Sequence, residues 1–345
     1  FVDSCPQLLQ TYAVFVFAIG ISFLSDKSNN IFRCVKIYCY FCLMKQLLLY
    51  IFVALFVTSC GDSYEEKVRL SREERQKQKT EDSLALKFAV LPTADCLPIY
   101  VAKEKRLFDT LGVDVRLRCL TSQMDCDTAI AGGSVEGVVS DLVRTARLRR
   151  GGTALHYLSS TNAYWQLIAN RRARLKRLNQ FGDKMIAMTR YSATDFFTDH
   201  FLKHVKTSAI VFRIQVNDVF IREKMLLNNE MDAAWLAEPF ATAARLTGNP
   251  VVADSRDFQH KVGVIAMRSR SIVDSRRKKQ VTAFVKAYNA ACDSLNTYGL
   301  SAYKDVLYKY YKVDASVVSA MPRMKFDHIS KPFKADVDAF GKESK

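Results

Sequence analysis

Three short polar clusters stand where apolar runs stop, and their side chains can hold a small molecule by hydrogen bonds or charge. Thr93-Ala94-Asp95-Cys96 follows the run 86–91, Ser122-Gln123 follows the run 113–117, and Ser140-Asp141 ends the run 137–140. Hydroxyl, amide and carboxyl groups of this kind suit reversible capture. The patterns that mark nucleotide or acyl chemistry are missing from the sequence: there is no GxxxxGK, no GxSxG and no HExxH. His200 and His204 are one helical turn apart and could share a metal, but no third ligand accompanies them, so a solvated helix face is expected.

The clusters need elements to place them. Residues 86–91 (LKFAVL) are an apolar run with the length of a buried strand. Pro98 suits the first turn of a helix that continues over 99–108 and ends at Gly112. Residues 113–117 alternate as a second strand, 122–127 form a polar loop, and 128–131 begin a helix that Gly132-Gly133 breaks. Residues 137–140 are a third strand. This β-α-β-α-β order predicts a parallel sheet flanked by helices, whose ligands sit at the carboxyl ends of the strands.

Two pieces of this stretch, LKFAVLPTADCLPIYVAKEKRLFDTLGVDV and AIAGGSVEGVVSD, resemble the opening of type II periplasmic substrate-binding proteins. The nearest group is that of nitrate, sulfonate, taurine and thiamin-pyrimidine precursors. Such domains usually carry Asp before the Gly of the second piece, where this chain has Glu136. The likeness continues through a strand at 183–188, a helix at 195–203, a strand at 211–216, a helix at 218–227 and the segment NNEMDAAWLAEPFATAAR, in which a strand ends in Glu-Pro before a helix. A strand at 262–267 returns to the first lobe, and 275–298 and 301–311 are helical by period. The resemblance covers roughly residues 84–335.

It implies an α/β fold of two lobes, each a mostly parallel sheet flanked by helices: lobe 1 from 84–168 plus 256–335, lobe 2 from 172–252. Crossovers near 169–172 and 253–257 would form a hinge. A two-lobed binder needs polar groups from both sides of its cleft. From lobe 1 these are Thr93, Asp95, Gln123, Ser140 and Asp141, and from the crossover Asn162, Tyr164 and Trp165. From lobe 2 they are Tyr191, Ser192, Thr194, Trp235 and Glu238. Ser192 and Thr194 also stand at a helix start, where they would cap. Trp235 would serve as well in the core, and Glu238 as a brace for the turn. The resemblance further implies a monomer that needs no cofactor, takes a small anionic or zwitterionic solute, and passes it to an ABC permease with its ATPase subunit. The alternatives are an enzyme on the same fold, making a thiamin pyrimidine or menaquinone precursor, and a ligand-binding sensory domain.

The front of the chain reads as an address. Met44-Lys45 starts a basic region, residues 47–57 are an apolar core of signal-peptide length, and Val57-Thr58-Ser59-Cys60 resembles a bacterial lipobox. Lipidated Cys60 would anchor the protein in the cell envelope, facing the periplasm or exterior. Residues 1–43 then read as an upstream over-extension of the reading frame; the competing interpretation is one or two transmembrane helices at 8–24 and 38–58. Residues 63–83 hold six basic and six acidic residues and read as a charged, partly helical tether.

The net charge of +16 comes from 51 Lys and Arg against 35 Asp and Glu. The densest basic clusters, 171–177 and 276–279, come with no zinc-finger spacing or aromatic RNA motif, so no nucleic-acid partner is expected. An anionic membrane surface or an anion-attracting cleft fits the charge. Cys96, Cys119, Cys126 and Cys292 form no CxxC pair; Cys119 and Cys126 are either bridged or free.

Overall fold

The computed structural model describes residues 64–341. The leader, the lipobox with Cys60 and the 1–43 extension lie outside the described residues. Two compact units divide the chain, one up to Lys79 and one from Thr80. The described part of the first belongs to a continuous helix, Tyr64–Leu84, with Arg69 and Glu73 3.9 Å apart at i,i+4 on its exposed surface. The charged segment is therefore helical over 64–83. Among the described residues, no helix is long and apolar enough to cross a membrane.

Among the described residues the second unit contains ten strands: β1 Leu86–Val90, β2 Val115–Cys119, β3 Gly137–Asp141, β4 Leu155–Ser160, β5 Trp165–Ala169, β6 Met185–Met188, β7 Phe212–Gln215, β8 Ala233–Ala237, β9 Val251–Asp254 and β10 Gly263–Arg268. They form two five-stranded sheets, ordered β2-β1-β3-β10-β4 and β7-β6-β8-β5-β9. In the first, β1 pairs parallel with β2 and β3, while β10 runs antiparallel to β3 and β4. In the second, β6 pairs parallel with β7 and β8, while β5 runs antiparallel to β8 and β9. Each sheet is thus a parallel β-α-β-α-β unit completed by one strand of its own lobe, β4 or β9, and one antiparallel strand that follows a crossover, β10 or β5. This is the expected two-lobed α/β architecture.

Lobe 1 is held by apolar burial on both faces of its central strands, which is why β1 and β3 are largely apolar apart from Lys87 and the Ser140-Asp141 end. Phe88 of β1 stacks on Phe284 of the helix Ser275–Tyr298, with centroids 4.2 Å apart. Gly137 is required beside them, because a Cβ there would lie 2.2 Å from the Phe88 ring. Glu136, at the position where an Asp was expected, accepts from Lys87 N at 2.8 Å and from Arg277 Nη2 at 3.1 Å, tying β1 to the same helix.

Three expectations are corrected. The helix expected over 99–108 is two helices, Leu97–Glu104 and Leu107–Thr110, separated by Arg106 at φ 55°. The polar loop at 122–127 is already helix: the element runs Gln123–Ala131 and turns Met124 and Asp125 to solvent. The lobe boundaries also move. β5 lies in the second sheet, so the first crossover is at 161–164, ahead of 169–172; β9 extends lobe 2 to Asp254, and the chain returns over 255–262. Sequence pattern marks no strand at 165–169, so it could not say which sheet this segment joins. Gly263 allows the passage, since a Cβ there would sit 2.2 Å from Thr161 Oγ1 and 2.6 Å from Ala163 Cβ.

Candidate functional site

The carboxyl ends of β1 and β3, the start of the helix Gln123–Ala131 and the end of β8 meet across the crossover. Seven of the residues predicted from sequence line one cleft there, of ≈ 420 Å³ including its mouth: Thr93, Asp95, Gln123, Ser140, Tyr164, Trp165 and Glu238. A second, tight chamber of ≈ 20 Å³ shares Thr93, Gln123 and Trp165 with it and adds Arg222 and Trp235.

The two lobes are bonded to each other around this space. Thr121 Oγ1 donates to Asp218 Oδ2 at 2.5 Å, and Val219 N donates back to Thr121 O at 3.0 Å. Ala94 N donates to Glu238 O at 2.9 Å. On the far side Arg144 Nη1 reaches Arg190 O at 3.3 Å, and the Arg147 guanidinium lies 4.1 Å from the Tyr191 ring centroid. This is a closed arrangement of the lobes.

The cleft residues differ in how free they are. Asp95 accepts a hydrogen bond from Thr161 Oγ1 at 3.3 Å, and burial pushes its carboxyl above the usual range against the pull of Thr93 and Thr161. No cation pairs with it among the described residues. Ser140 is buried and Gln123 half-buried. Glu238, by contrast, is fully engaged. Oε1 accepts from Tyr164 Oη and Arg245 Nη2, both at 2.9 Å, and Oε2 accepts from Thr242 N at 3.0 Å and Thr242 Oγ1 at 2.6 Å. It braces the turn into the helix Phe240–Leu246, after a cis Glu238–Pro239 peptide. Tyr164 is fixed between Glu238 and the Arg256 guanidinium, 4.3 Å from its ring centroid. Trp165 is anchored through its backbone, whose N–H donates to Ser255 Oγ at 2.8 Å.

Of the other predicted residues, Trp235 borders the second chamber from the core of lobe 2 and the rest lie elsewhere. Asn162 joins the crossover to the C-terminal segment, donating to Lys325 O at 2.9 Å and accepting from Lys261 Nζ at 2.8 Å. It faces a neighbouring groove of ≈ 700 Å³ with Arg256 and Lys261 on its wall. Ser192 and Thr194 are buried in the start of the helix Ala193–Leu202. Ser192 Oγ donates to Thr189 O at 2.6 Å, and Thr189 N donates to Thr194 Oγ1 at 3.0 Å. Tyr191 is exposed beneath Arg147. Asp141 is fully buried and caps the helix Leu142–Arg150, accepting from Arg144 N at 2.9 Å. Burial raises its carboxyl to about 6, with the Arg144 charge pulling the other way. Trp235 is a core residue of lobe 2, with no exposed surface and its indole N–H given to Thr198 Oγ1 at 2.9 Å. His200 is exposed in the last turn of Ala193–Leu202, and His204 is exposed in the turn after it, because the helix ends at Leu202. The four cysteines Cys96, Cys119, Cys126 and Cys292 are free.

Sequence reasoning missed Arg222. It sits on the helix Val219–Leu227, is only 4 % exposed, and lines the second chamber. Its Nε donates to Val216 O at 2.9 Å, Nη1 to Trp235 O at 3.2 Å, and Nη2 to Val216 O at 2.6 Å and to Thr189 Oγ1. Every one of these acceptors is neutral, and burial draws the guanidinium down to about 10. The available signal was position: Val219, Arg222 and Leu226 share the buried stripe of this helix.

Neither a protein-family model nor a curated protein matches the chain. Solved structures do. The alkanesulfonate-binding protein SsuA from Xanthomonas axonopodis pv. citri, bound to MOPS, is similar at TM-score 0.63 and 15 % identity, over 74 % of this chain and 89 % of that one. The ligand-binding component of an ABC-type import system from Staphylococcus aureus, with zinc bound, is similar at TM-score 0.61 and 13 % identity, over 74 % and 89 %. The periplasmic nitrate-binding protein NrtA from Synechocystis PCC 6803 is similar at TM-score 0.57 and 15 % identity, over 73 % and 76 %. This likeness gives the chain the two-lobed periplasmic-binding-protein fold.

Proposed function

We propose that the protein is an extracytoplasmic solute receptor that captures a small anionic or zwitterionic molecule between its lobes and delivers it to an ABC permease and its ATPase subunit. The observation that carries this reading is the cleft itself: strand and helix ends of both lobes converge there, with hydroxyl, amide and ionic groups on its walls. Such a site suits capture and release rather than turnover, because its hydrogen bonds exchange with water when the lobes part. The solved structures named above, described as binding proteins and an import component, support the assignment. The lipobox sequence at Cys60 supports attachment of a monomer to a membrane through lipid, with the charged helix as its tether.

A thermal-shift screen of sulfonates, nitrate, pyrimidines, amino acids and other small solutes tests the reading. A true ligand at one hundred times its Kd adds about 2.7 kcal/mol of stability and returns chemically unchanged. Conversion of a bound solute by the purified protein would instead favour an enzyme.

A further inference from the structure

The end of the second sheet that faces away from the cleft is crowded with cations. β8 reaches the cleft through Ala237 and Glu238, and its other end, Ala233, stands level with Ala169 of β5 and Ile186 of β6. The connection 170–184 therefore crosses the far pole of lobe 2, and 203–211, 228–232 and 247–250 lead from it into β7, β8 and β9. These four connections hold eight Lys and Arg against three acids, Asp183, Glu230 and Asp232. Seven of the eight cations are exposed, and Lys184 is half-buried. Elsewhere exposed cations find acids, as Arg106 does with Asp109, Arg116 with Asp114 and Lys309 with Glu104. Among the described residues none of these eight forms a salt bridge, while the Asp232 carboxylate is taken by Met185 N at 2.9 Å.

Apolar side chains stand among these charges. The parallel register sets Met185 beside Phe212 at the edge of the sheet, and Phe212 N donates to Lys184 O at 2.8 Å. Met185 is 36 % exposed, Phe212 39 %, and Ile210, two residues earlier, 71 %. Apolar surface is costly to leave in water, and like charges gathered on one surface repel one another. A negative plane with an apolar layer beneath it relieves both. We propose that the far pole of lobe 2 is a contact for a bilayer that bears anionic phospholipid: Ile210, Phe212 and Met185 enter the headgroup boundary, and the surrounding Lys and Arg meet the phosphates. The cations are spread over several connections, which matches a broad charged plane. The membrane attachment proposed above brings such a plane within reach, but the contact itself needs neither the lipid on Cys60 nor a captured solute. Because the cleft lies at the opposite end of the same sheet, the contact leaves it free to open.

The test is tryptophan fluorescence of the full chain carrying Ile210→Trp, mixed with phosphatidylcholine vesicles that contain or lack phosphatidylglycerol and carry a nitroxide quencher on the lipid. Trp165 and Trp235 are buried, so the new indole dominates the response. With phosphatidylglycerol present its emission should shift to the blue and be quenched about twofold or more, and raising the salt from about 0.1 M to about 1 M should reverse both changes. Replacing Arg172, Lys176 and Arg177 together by Gln should abolish the response. Replacing Arg276, Lys278 and Lys279 by Gln, an equal loss of charge on lobe 1, should leave it in place. A separate chain with Val273→Trp places the indole on the exposed surface of lobe 1, where it should stay unquenched; it separates contact at the pole from attachment through other parts of the chain. The melt of each variant reports whether it has folded. The proposal is overturned if position 210 stays unquenched, if neutral vesicles quench it equally, if the two Gln triples act alike, or if position 273 is quenched as strongly. A solute that raises the melting temperature and is recovered unchanged would leave the capture reading standing in every one of those cases.

Discussion

Thr121 Oγ1 of lobe 1 donates to Asp218 Oδ2 of lobe 2 at 2.5 Å, while Oδ1 of the same Asp218 caps the helix Val219–Leu227 through Phe220 N at 2.9 Å and Ile221 N at 3.0 Å. One carboxylate therefore starts the helix that carries Arg222 and docks that helix against the opposite lobe.

Thr121→Val should loosen this dock without harming either core. A hydrogen bond to a charged group contributes about 1.5–3 kcal/mol, here between the lobes rather than within one. Small-angle scattering of the ligand-free protein should show a larger radius of gyration for the variant, with an unchanged melting temperature. An identical radius would mean that the bond plays no part in closure.

Glu238→Gln addresses the role of a residue that sequence placed in the site. Glu238 is buried against Arg245, Tyr164 and Thr242, so the substitution leaves Arg245 without its counter-charge. Breaking a buried pair in this way costs about 3–5 kcal/mol, somewhat less where Arg245 can turn to water. Denaturant unfolding should register the loss; full stability with weakened binding would instead make Glu238 a ligand contact.

Trp235→Phe separates core from cleft in the same way. The ring volume is largely kept, but Thr198 Oγ1 loses the indole N–H it accepts from. A stability loss of about 1–3 kcal/mol is expected, with affinity for any captured solute unchanged. A loss of affinity at constant stability would return Trp235 to the site.

Asp141 gives a pH signature. Its folded carboxyl is raised from 3.8 to about 6 by burial, so the folded state holds the proton more tightly than the unfolded chain does. The stability this lends is present below pH 4 and is lost as pH rises toward 6. Asp141→Asn has no proton to lose, and its amide oxygen can still accept from Arg144 N. Relative to the wild type it should gain stability across pH 4–6, by an amount on the order of 3 kcal/mol. Parallel unfolding curves over that range would contradict the assignment.

Seven of the strands were legible because burial on both faces leaves a plain mark, as in Leu86–Val90 and Gly263–Arg268, whereas β4, β5 and β9 were not read. The polar clusters at the ends of β1 and β3 were legible for the same reason: the apolar run stops where the cleft begins. What local pattern could not supply was partnership. Trp165–Ala169 pairs with Ala233–Ala237, far along the chain, and nothing nearby reveals that choice. The Gln123–Ala131 helix was misread because its first turn keeps Met124 and Asp125 exposed and so looks like a loop. Ser192 and Thr194 carry side chains that suit a ligand or a cap equally, and only coordinates show the bonds with Thr189. Arg222 escaped notice because arginine on a short helix is ordinarily solvated; its place in line with Val219 and Leu226 was the one clue.

The most direct test of solute capture is native mass spectrometry of the full protein purified from its own cells without denaturant, followed by release and identification of whatever is bound. The account predicts one small molecule per chain, held in the closed form, released intact by acid or denaturant, and rebinding when added back. A protein that carries no solute and binds none from the screen, or one that returns its solute chemically altered, would contradict it.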